Sequence, residues 1–121
     1  MNSRAETGIR GEEIATNYLR QNGYLICYRN WRCGRYEIDI VATKQGITHI
    51  IEVRTRRAGA LLSPEKSITT AKAESLRKAA SAFLRQTHTI GEVEFDLIAI
   101  DILPDGSHDV RFISDILQPG W

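Results

Sequence analysis

At 121 residues, with 42% hydrophobic and 26% charged side chains, the chain has the size and composition of one globular domain, expected to span residues 1–121 without disulfide or metal staples. No run of eighteen apolar residues offers a membrane span, and the start, Met1-Asn2-Ser3-Arg4-Ala5-Glu6, has no apolar signal region, so the expected location is the cytoplasm, with no membrane partner. The net charge of +1 conceals an asymmetry: residues 20–85 carry 13 Lys/Arg against five Asp/Glu, whereas residues 86–121 carry one Arg against seven Asp/Glu. Such a basic segment either attracts phosphates or is a solvated face paired with the acidic tail.

Residues 4–22 read as a helix, with Ala5, Ile9, Thr16 and Leu19 on one side at helical spacing and Gly23 as its stop. Residues 24–31 and 36–43 are rich in β-formers, and Arg32-Cys33-Gly34-Arg35 turns between them, so the two read as a hairpin. After the Gln45-Gly46 turn, residues 48–56 form a third strand. Residues 58–64 have the composition of an exposed loop. Residues 65–85 return to a helical pattern, with Ile68, Leu76, Ala79 and Phe83 as the apolar stripe. The run 93–102 is apolar almost throughout, as expected of a central strand covered on both faces. Pro104-Asp105-Gly106 turns the chain into an edge strand at 109–113. The predicted order is α-β-β-β-α-β-β.

Side chains two apart share a strand face, which puts Glu52 beside Arg54. Asp39 lies among Ile38, Ile40 and Val41 on the neighbouring strand, where an acid needs a partner if buried. Two acids converging from adjacent strands could hold a hard divalent cation. The competing reading is a structural ion pair of Asp39 or Glu52 with Arg54. Glu12 falls roughly 20° from Ala5 and Leu19 around the first helix, at the centre of its stripe. Lys72 sits one turn after Ile68 and one before Leu76, facing the core or snorkelling out of it. Four ionisable groups aimed at one region point to a functional site more strongly than any one does.

The hairpin Arg29-Asn30-Trp31-Arg32-Cys33-Gly34-Arg35-Tyr36 interleaves basic and aromatic residues, which suits a surface that tracks phosphates and stacks on bases; the alternative is a turn whose aromatics tuck into the core. Arg56 and Arg57 are expected to extend this basic surface. Cys27 and Cys33 could form a disulfide or half a zinc site, but there is no second pair, and His49, His88 and His108 lack ligand spacing, which favours two reduced thiols.

Taken in order, Gly8-Ile9-Arg10-Gly11-Glu12-Glu13-Ile14-Ala15, Gly23-Tyr24, Asn30-Trp31-Arg32, Glu37-Ile38-Asp39-Ile40-Val41-Ala42, Glu52-Val53-Arg54-Thr55-Arg56, Lys72 and Phe95-Asp96 resemble the motif set of the YraN-like family of bacterial proteins. That family is related to archaeal Holliday junction resolvases and to the PD-(D/E)xK nucleases. The resemblance implies a restriction endonuclease-like α/β fold, an αβββαβ core whose mixed central sheet is flanked by helices. It implies Asp39 and Glu52 as ligands of Mg²⁺ or Mn²⁺, with the Val53 carbonyl as a third, and Glu12 as an acid that holds water. Lys72 matches a family lysine. Arg54 stands where the family has lysine, and Tyr36 where it has glycine. An arginine stays protonated and cannot act as a general base, but it can clamp a phosphate.

The function implied is a metal-dependent endonuclease acting on nucleic acid, DNA ahead of RNA and branched DNA included, with Asp39, Glu52, Arg54, Glu12 and Lys72 at the reacting centre. Arg29, Arg32, Arg35, Arg56 and Arg57 would bind the nucleic acid, and a homodimer is compatible with the sequence. The alternative is a nucleic-acid-binding module that kept the nuclease fold and lost turnover with Arg54. A structural domain whose acidic tail binds a basic partner is a third, more remote reading.

Overall fold

The computed structural model describes residues 4–57, 59 and 63–117, with the side chains of Arg4 and Ala5 outside that description. Two helices and five strands run in the order α1 (Arg4–Gln21), β1 (Leu25–Cys33), β2 (Tyr36–Lys44), β3 (Ile47–Arg57), α2 (Thr70–Thr87), β4 (Val93–Ile102) and β5 (His108–Ile113), with a 3-10 turn at Glu65–Ser67. The sheet keeps sequence order, β1-β2-β3-β4-β5. Every neighbouring pair is antiparallel except β3 and β4, which are parallel and joined through α2. A parallel pair needs such a crossover, because no short turn can return the chain to the same end of the sheet.

The helices cover opposite faces. On the α1 side, Ala15 and Leu19 pack with Ile40, Ala42, Ile51, Ile98 and Ile100. On the α2 side, Ala79, Ala80 and Phe83 pack with Ile38, Val41 and Ile50. β4 is buried from Asp96 to Ile100, as its apolar run predicts. The mixed sheet between two helical layers is the α/β architecture expected from the sequence. Among the described residues, no helix is long and apolar enough to cross a membrane.

Three local expectations are corrected. Ile9 is not part of the buried stripe but 64% exposed; the core side of α1 is formed by Ala15, Thr16 and Leu19. The second helix starts at Thr70 rather than near Glu65, because the Thr69 side chain caps it by accepting from the Lys72 amide at 3.1 Å. Ile68 is buried, but it precedes the helix. In the stretch expected as an exposed loop, Gly59 is exposed and Pro64 is buried, while residues 58 and 60–62 lie outside the described residues. The disulfide reading also fails, since Cys27 and Cys33 are both free thiols.

One contact sets how closely α1 approaches the sheet. A Cβ on Gly11 would overlap the Thr55 hydroxyl oxygen and lie 3.0 Å from the Thr55 Cβ. Glycine at this position therefore lets the helix backbone rest on β3, which brings the next residue, Glu12, over the strands. Gly11→Ala is expected to destabilise the fold by about 1–3 kcal/mol, as overpacking does. Adding Thr55→Ala should recover part of that loss in a thermal or denaturant melt. Additive losses in the double variant would contradict the contact.

Candidate metal-binding and nucleic-acid site

The site is built where two strand pairings change together. The β2–β3 ladder ends with the pair Ile40↔Ile51. On the other side, β1 pairs with β2 at Arg29↔Ile40 and Trp31↔Ile38, and Asn30 lies opposite Asp39 between those two pairs. Asn30 holds a left-handed φ of 53°, unusual for a non-glycine residue inside a strand. The facing of β2 slips here as well: Ile38 joins the α2-side core, whereas Ile40 joins the α1-side core. Asp39 is therefore not a face residue of a regular strand. Its carboxylate turns toward β3, and Oδ2 accepts the Val53 amide hydrogen at 2.8 Å.

Three acids meet at this point. The Asp39 and Glu52 carboxyls lie within hydrogen-bonding reach of each other, and Glu12 is close enough to add its charge. Burial, then the neighbouring Glu52, push the Asp39 carboxyl up to about 8, although the Val53 amide pulls in the opposite direction. Burial also raises Glu12, and Arg29 and a hydrogen bond from the Asn30 side chain oppose it. Glu12, Asn30, Arg32, Glu37, Asp39 and Val53 line one open groove beneath α1, with Gly8 and Ile9 on its rim.

The α2 side supplies cations. Glu52 is only 5% exposed, and its Oε2 receives Arg54 at 3.0 Å and Lys72 Nζ at 3.3 Å. Glu52 thus stands between the acids of the groove and two positive groups. The Arg54 Nε is buried without a hydrogen-bond partner, the one such side-chain atom among the described residues. Arg54 thus meets Glu52 through NH2, with no part played by Nε. It does not form the two-pronged fork that Arg111 makes on Glu65, at 2.6 and 3.0 Å. Of the two residues expected to border the Asp39 cavity, Glu12 lines the groove, whereas Lys72 does not and instead contacts Glu52 behind it.

The basic residues divide. Arg29 is exposed and 3.7 Å from Glu13. Arg32 lines the groove, 3.5 Å from Glu37. Arg35 is exposed at the hairpin turn, with its guanidinium 5.7 Å from the Tyr36 ring centre. Arg56 is taken up by Asp101 at 2.6 Å, and Arg57 borders a separate depression with Arg10, Pro104 and Gly106. The expectation of a basic surface at the site thus rests on Arg29, Arg32 and Arg35. The stacking role for the hairpin aromatics is corrected for Trp31, which packs edge-on against Phe83 at 5.3 Å. Tyr36 also packs on the α2-side core. Tyr28 packs on Phe83 as well, yet keeps 44% of its surface exposed.

Sequence reasoning missed two features. Asn30 reaches the Glu12 carboxylate only because its backbone is kinked opposite Asp39, and hydrophobic patterning carries no sign of that kink. The imidazole of His49 meets Asp96 at 2.5 Å and Glu94 at 3.2 Å. The Phe95-Asp96 pair marked one end of that cluster, but only the parallel β3–β4 register brings His49 to it.

The raised Asp39 value has a definite consequence for metal-free protein. Between about pH 4 and about pH 8 the folded chain keeps a proton that the unfolded chain has released, so stability falls as pH rises through that window. The raised Glu12 and Glu94 carboxyls act in the same direction. With a chelator present, the melting temperature should drop between about pH 5 and about pH 8, and Asp39→Asn should flatten the slope. An equal slope in both proteins would contradict the burial of this acid pair.

The comparisons with known proteins agree with this architecture. The sequence pattern described as "Uncharacterised protein family UPF0102" matches residues 11–100. A UPF0102 protein of Streptomyces coelicolor is 43% identical over 108 residues, covering 86% of this chain and 82% of the relative. One from Porphyromonas gingivalis is 39% identical over 102 residues, covering 84% and 76%. One from Bacteroides thetaiotaomicron is 36% identical over 114 residues, covering 94% and 93%. Among solved structures, Archaeoglobus fulgidus Hjc, a Holliday junction resolvase, aligns with a TM-score of 0.50 at 23% identity, over 87% of this chain and 73% of its own. That likeness shows a shared fold, a mixed sheet flanked by helices. The matched span and these relatives make the chain a member of the UPF0102, or YraN-like, family.

Proposed function

We propose that this chain is a divalent-metal-dependent nuclease, a single nuclease-like unit that binds DNA across the groove between α1 and the β1–β2 hairpin and hydrolyses a phosphodiester there. The observation that carries the reading is the meeting of half-buried Asp39 with buried Glu52. A carboxyl raised by burial and by the Glu52 charge beside it, together with Glu52 itself, is an oxygen donor set suited to Mg²⁺ or Mn²⁺. Asp39 and Glu52 would hold the ion, with the Val53 carbonyl as a further oxygen. Once bound, the ion would polarise the phosphate and make water a better nucleophile at neutral pH.

The chain's own groups divide the remaining work. Glu12, raised by burial and hydrogen-bonded by Asn30, would hold and orient water at the groove side of Asp39. Lys72 and Arg54 stand behind Glu52 and would stabilise negative charge on the phosphate. Lys72 supplies an ammonium at the acid cluster although Arg54 replaces the family lysine on β3. Arg29, Arg32 and Arg35 lie along the β1 side and its turn, where they would position the nucleic-acid backbone.

A second reading has its own observation. Arg54 and Lys72 already contact Glu52, so the site could be neutral without metal. The chain would then bind nucleic acid without cutting it. Cleavage of branched and single-stranded DNA with Mg²⁺ or Mn²⁺ separates the two. The nuclease reading expects Asp39→Ala to lose activity on the order of a hundredfold or more. It also expects Arg54→Lys to keep or raise activity. Equal rates in native protein and Asp39→Ala would mean that the cleavage is not this chain's, and would favour the binding module.

A further inference from the structure

The second acid cluster lies apart from the groove, on the α1 face of the β3–β4 pair. His49 and Glu94 are directly opposed in the parallel register, and Asp96 follows two residues after Glu94 on the same face. His49 Nδ1 is 2.5 Å from Asp96 Oδ2 and 3.2 Å from Glu94 Oε2, and one donor atom from each of the three residues lies within 4.8 Å of the others. Asp96 is fully buried, His49 is buried, and the Glu94 side chain is 29% exposed, which leaves one open side to the cluster. The Tyr24 ring packs edge-on against the imidazole at 5.0 Å and fixes its plane.

One nitrogen faces two carboxylates here. A proton on Nδ1 can be donated well to only one acceptor at a time, which leaves the second carboxylate facing the first. The Glu94 carboxyl is accordingly raised, first by its hydrogen bond with Asp96 and then by burial. A dication in place of the shared proton would satisfy both carboxylates and the imidazole lone pair, and two negative charges would balance it.

We propose that His49 Nδ1, Glu94 and Asp96 form a zinc-type transition-metal site, separate from the acid pair at Asp39 and Glu52. One imidazole with two carboxylates is a donor set that Zn²⁺ accepts, at bond lengths of about 2.0–2.2 Å, with water in the remaining position. Loading requires Nδ1 and Asp96 Oδ2 to part from 2.5 Å to about 3.3 Å, the separation of two ligands on one tetrahedral ion. The half-open Glu94 side is the entry route. The site has a structural consequence, because Asp96 uses its other oxygen, Oδ1, to accept the Asp115 amide at 3.0 Å. The next amide, of Ile116, donates to the Phe95 carbonyl at 2.8 Å. An ion on Asp96 Oδ2 would fix the carboxylate that pins the segment after β5 to β4.

The test is uptake of Zn²⁺ by chelator-stripped full chain, read by competition with a chromophoric chelator, and Co²⁺ absorption in the visible. It uses native protein and an Asp39→Asn/Glu52→Gln double variant in which the other acid pair is disabled. The double variant is expected to bind one Zn²⁺ per chain, and native protein at least that one. In the double-variant background, Glu94→Gln should weaken binding by about tenfold or more, and His49→Gln should abolish it and its Co²⁺ spectrum. Glu94 is partly exposed, so its variant reports on binding even if His49→Gln disturbs the fold. Failure of the double variant to take up Zn²⁺, or unchanged affinity in Glu94→Gln, would overturn the proposal. Neither result bears on cleavage at the groove.

Discussion

The hydrogen bond from the Val53 amide to Asp39 Oδ2 is made where β2 and β3 stop pairing, and the site depends on it. A strand that parts from its neighbour leaves backbone donors that need acceptors. Here a side chain fills that need, and in doing so a carboxylate is carried into the sheet edge-on. Glu52 on the next strand is then unavoidably close. Burial, and then the Glu52 charge beside it, raise Asp39 far above its ordinary range. The same burial makes Glu52 the natural partner of Arg54 and Lys72 from the opposite face. The split in the sheet, the acid pair and the cations behind it are one arrangement.

The helices serve that arrangement differently. α1 is held close by the absence of a side chain at Gly11, and Glu12 reaches the groove because its neighbour leaves room. α2 is started by the Thr69 cap two residues before Ala71, so that Lys72 falls in its first turn and turns toward the sheet. Elsewhere the charges are structural. Arg111 bridges Glu65 and Asp101, and Arg56 shares Asp101, so the end of the β3–β4–β5 sheet is tied to the 3-10 turn. Part of the basic surplus is thus neutralised by the acidic C-terminal third, while Arg29, Arg32 and Arg35 lie at the hairpin.

Much of the fold was legible because its signals are local and repeated. β4 reads as central from its apolar run, and the β1–β2 turn from Gly34, which takes a positive φ. Glu12 and Lys72 stood out as charges at apolar positions, and both prove to face the acid cluster. Ile9 misled because a hydrophobic residue at helical spacing looks the same whether it meets the core or the rim of a groove. Arg56 misled because a strand residue shows no sign of the acid opposite it on the next strand. The twist at Asn30 and Asp39 and the joining of His49 with Asp96 depend on register, which a single sequence does not record. The family motifs filled some of that gap for Asp39 and Glu52; they include Asn30 but give it no role.

The account's central claim is that Asp39 and Glu52 form a cation receptor that holds a proton when empty. Calorimetric titration of metal-free protein with Mn²⁺ near pH 7, repeated in buffers of different ionisation enthalpy, measures metal and proton together. Because Asp39 lies near 8 in the metal-free chain, binding at this pair should release close to one proton per ion. Run in a Glu94→Gln background, which weakens the other proposed metal site, the titration should show one ion per chain, and Asp39→Asn should eliminate both the binding and the proton release. Binding with no proton release, or binding unchanged by Asp39→Asn, would contradict the claim.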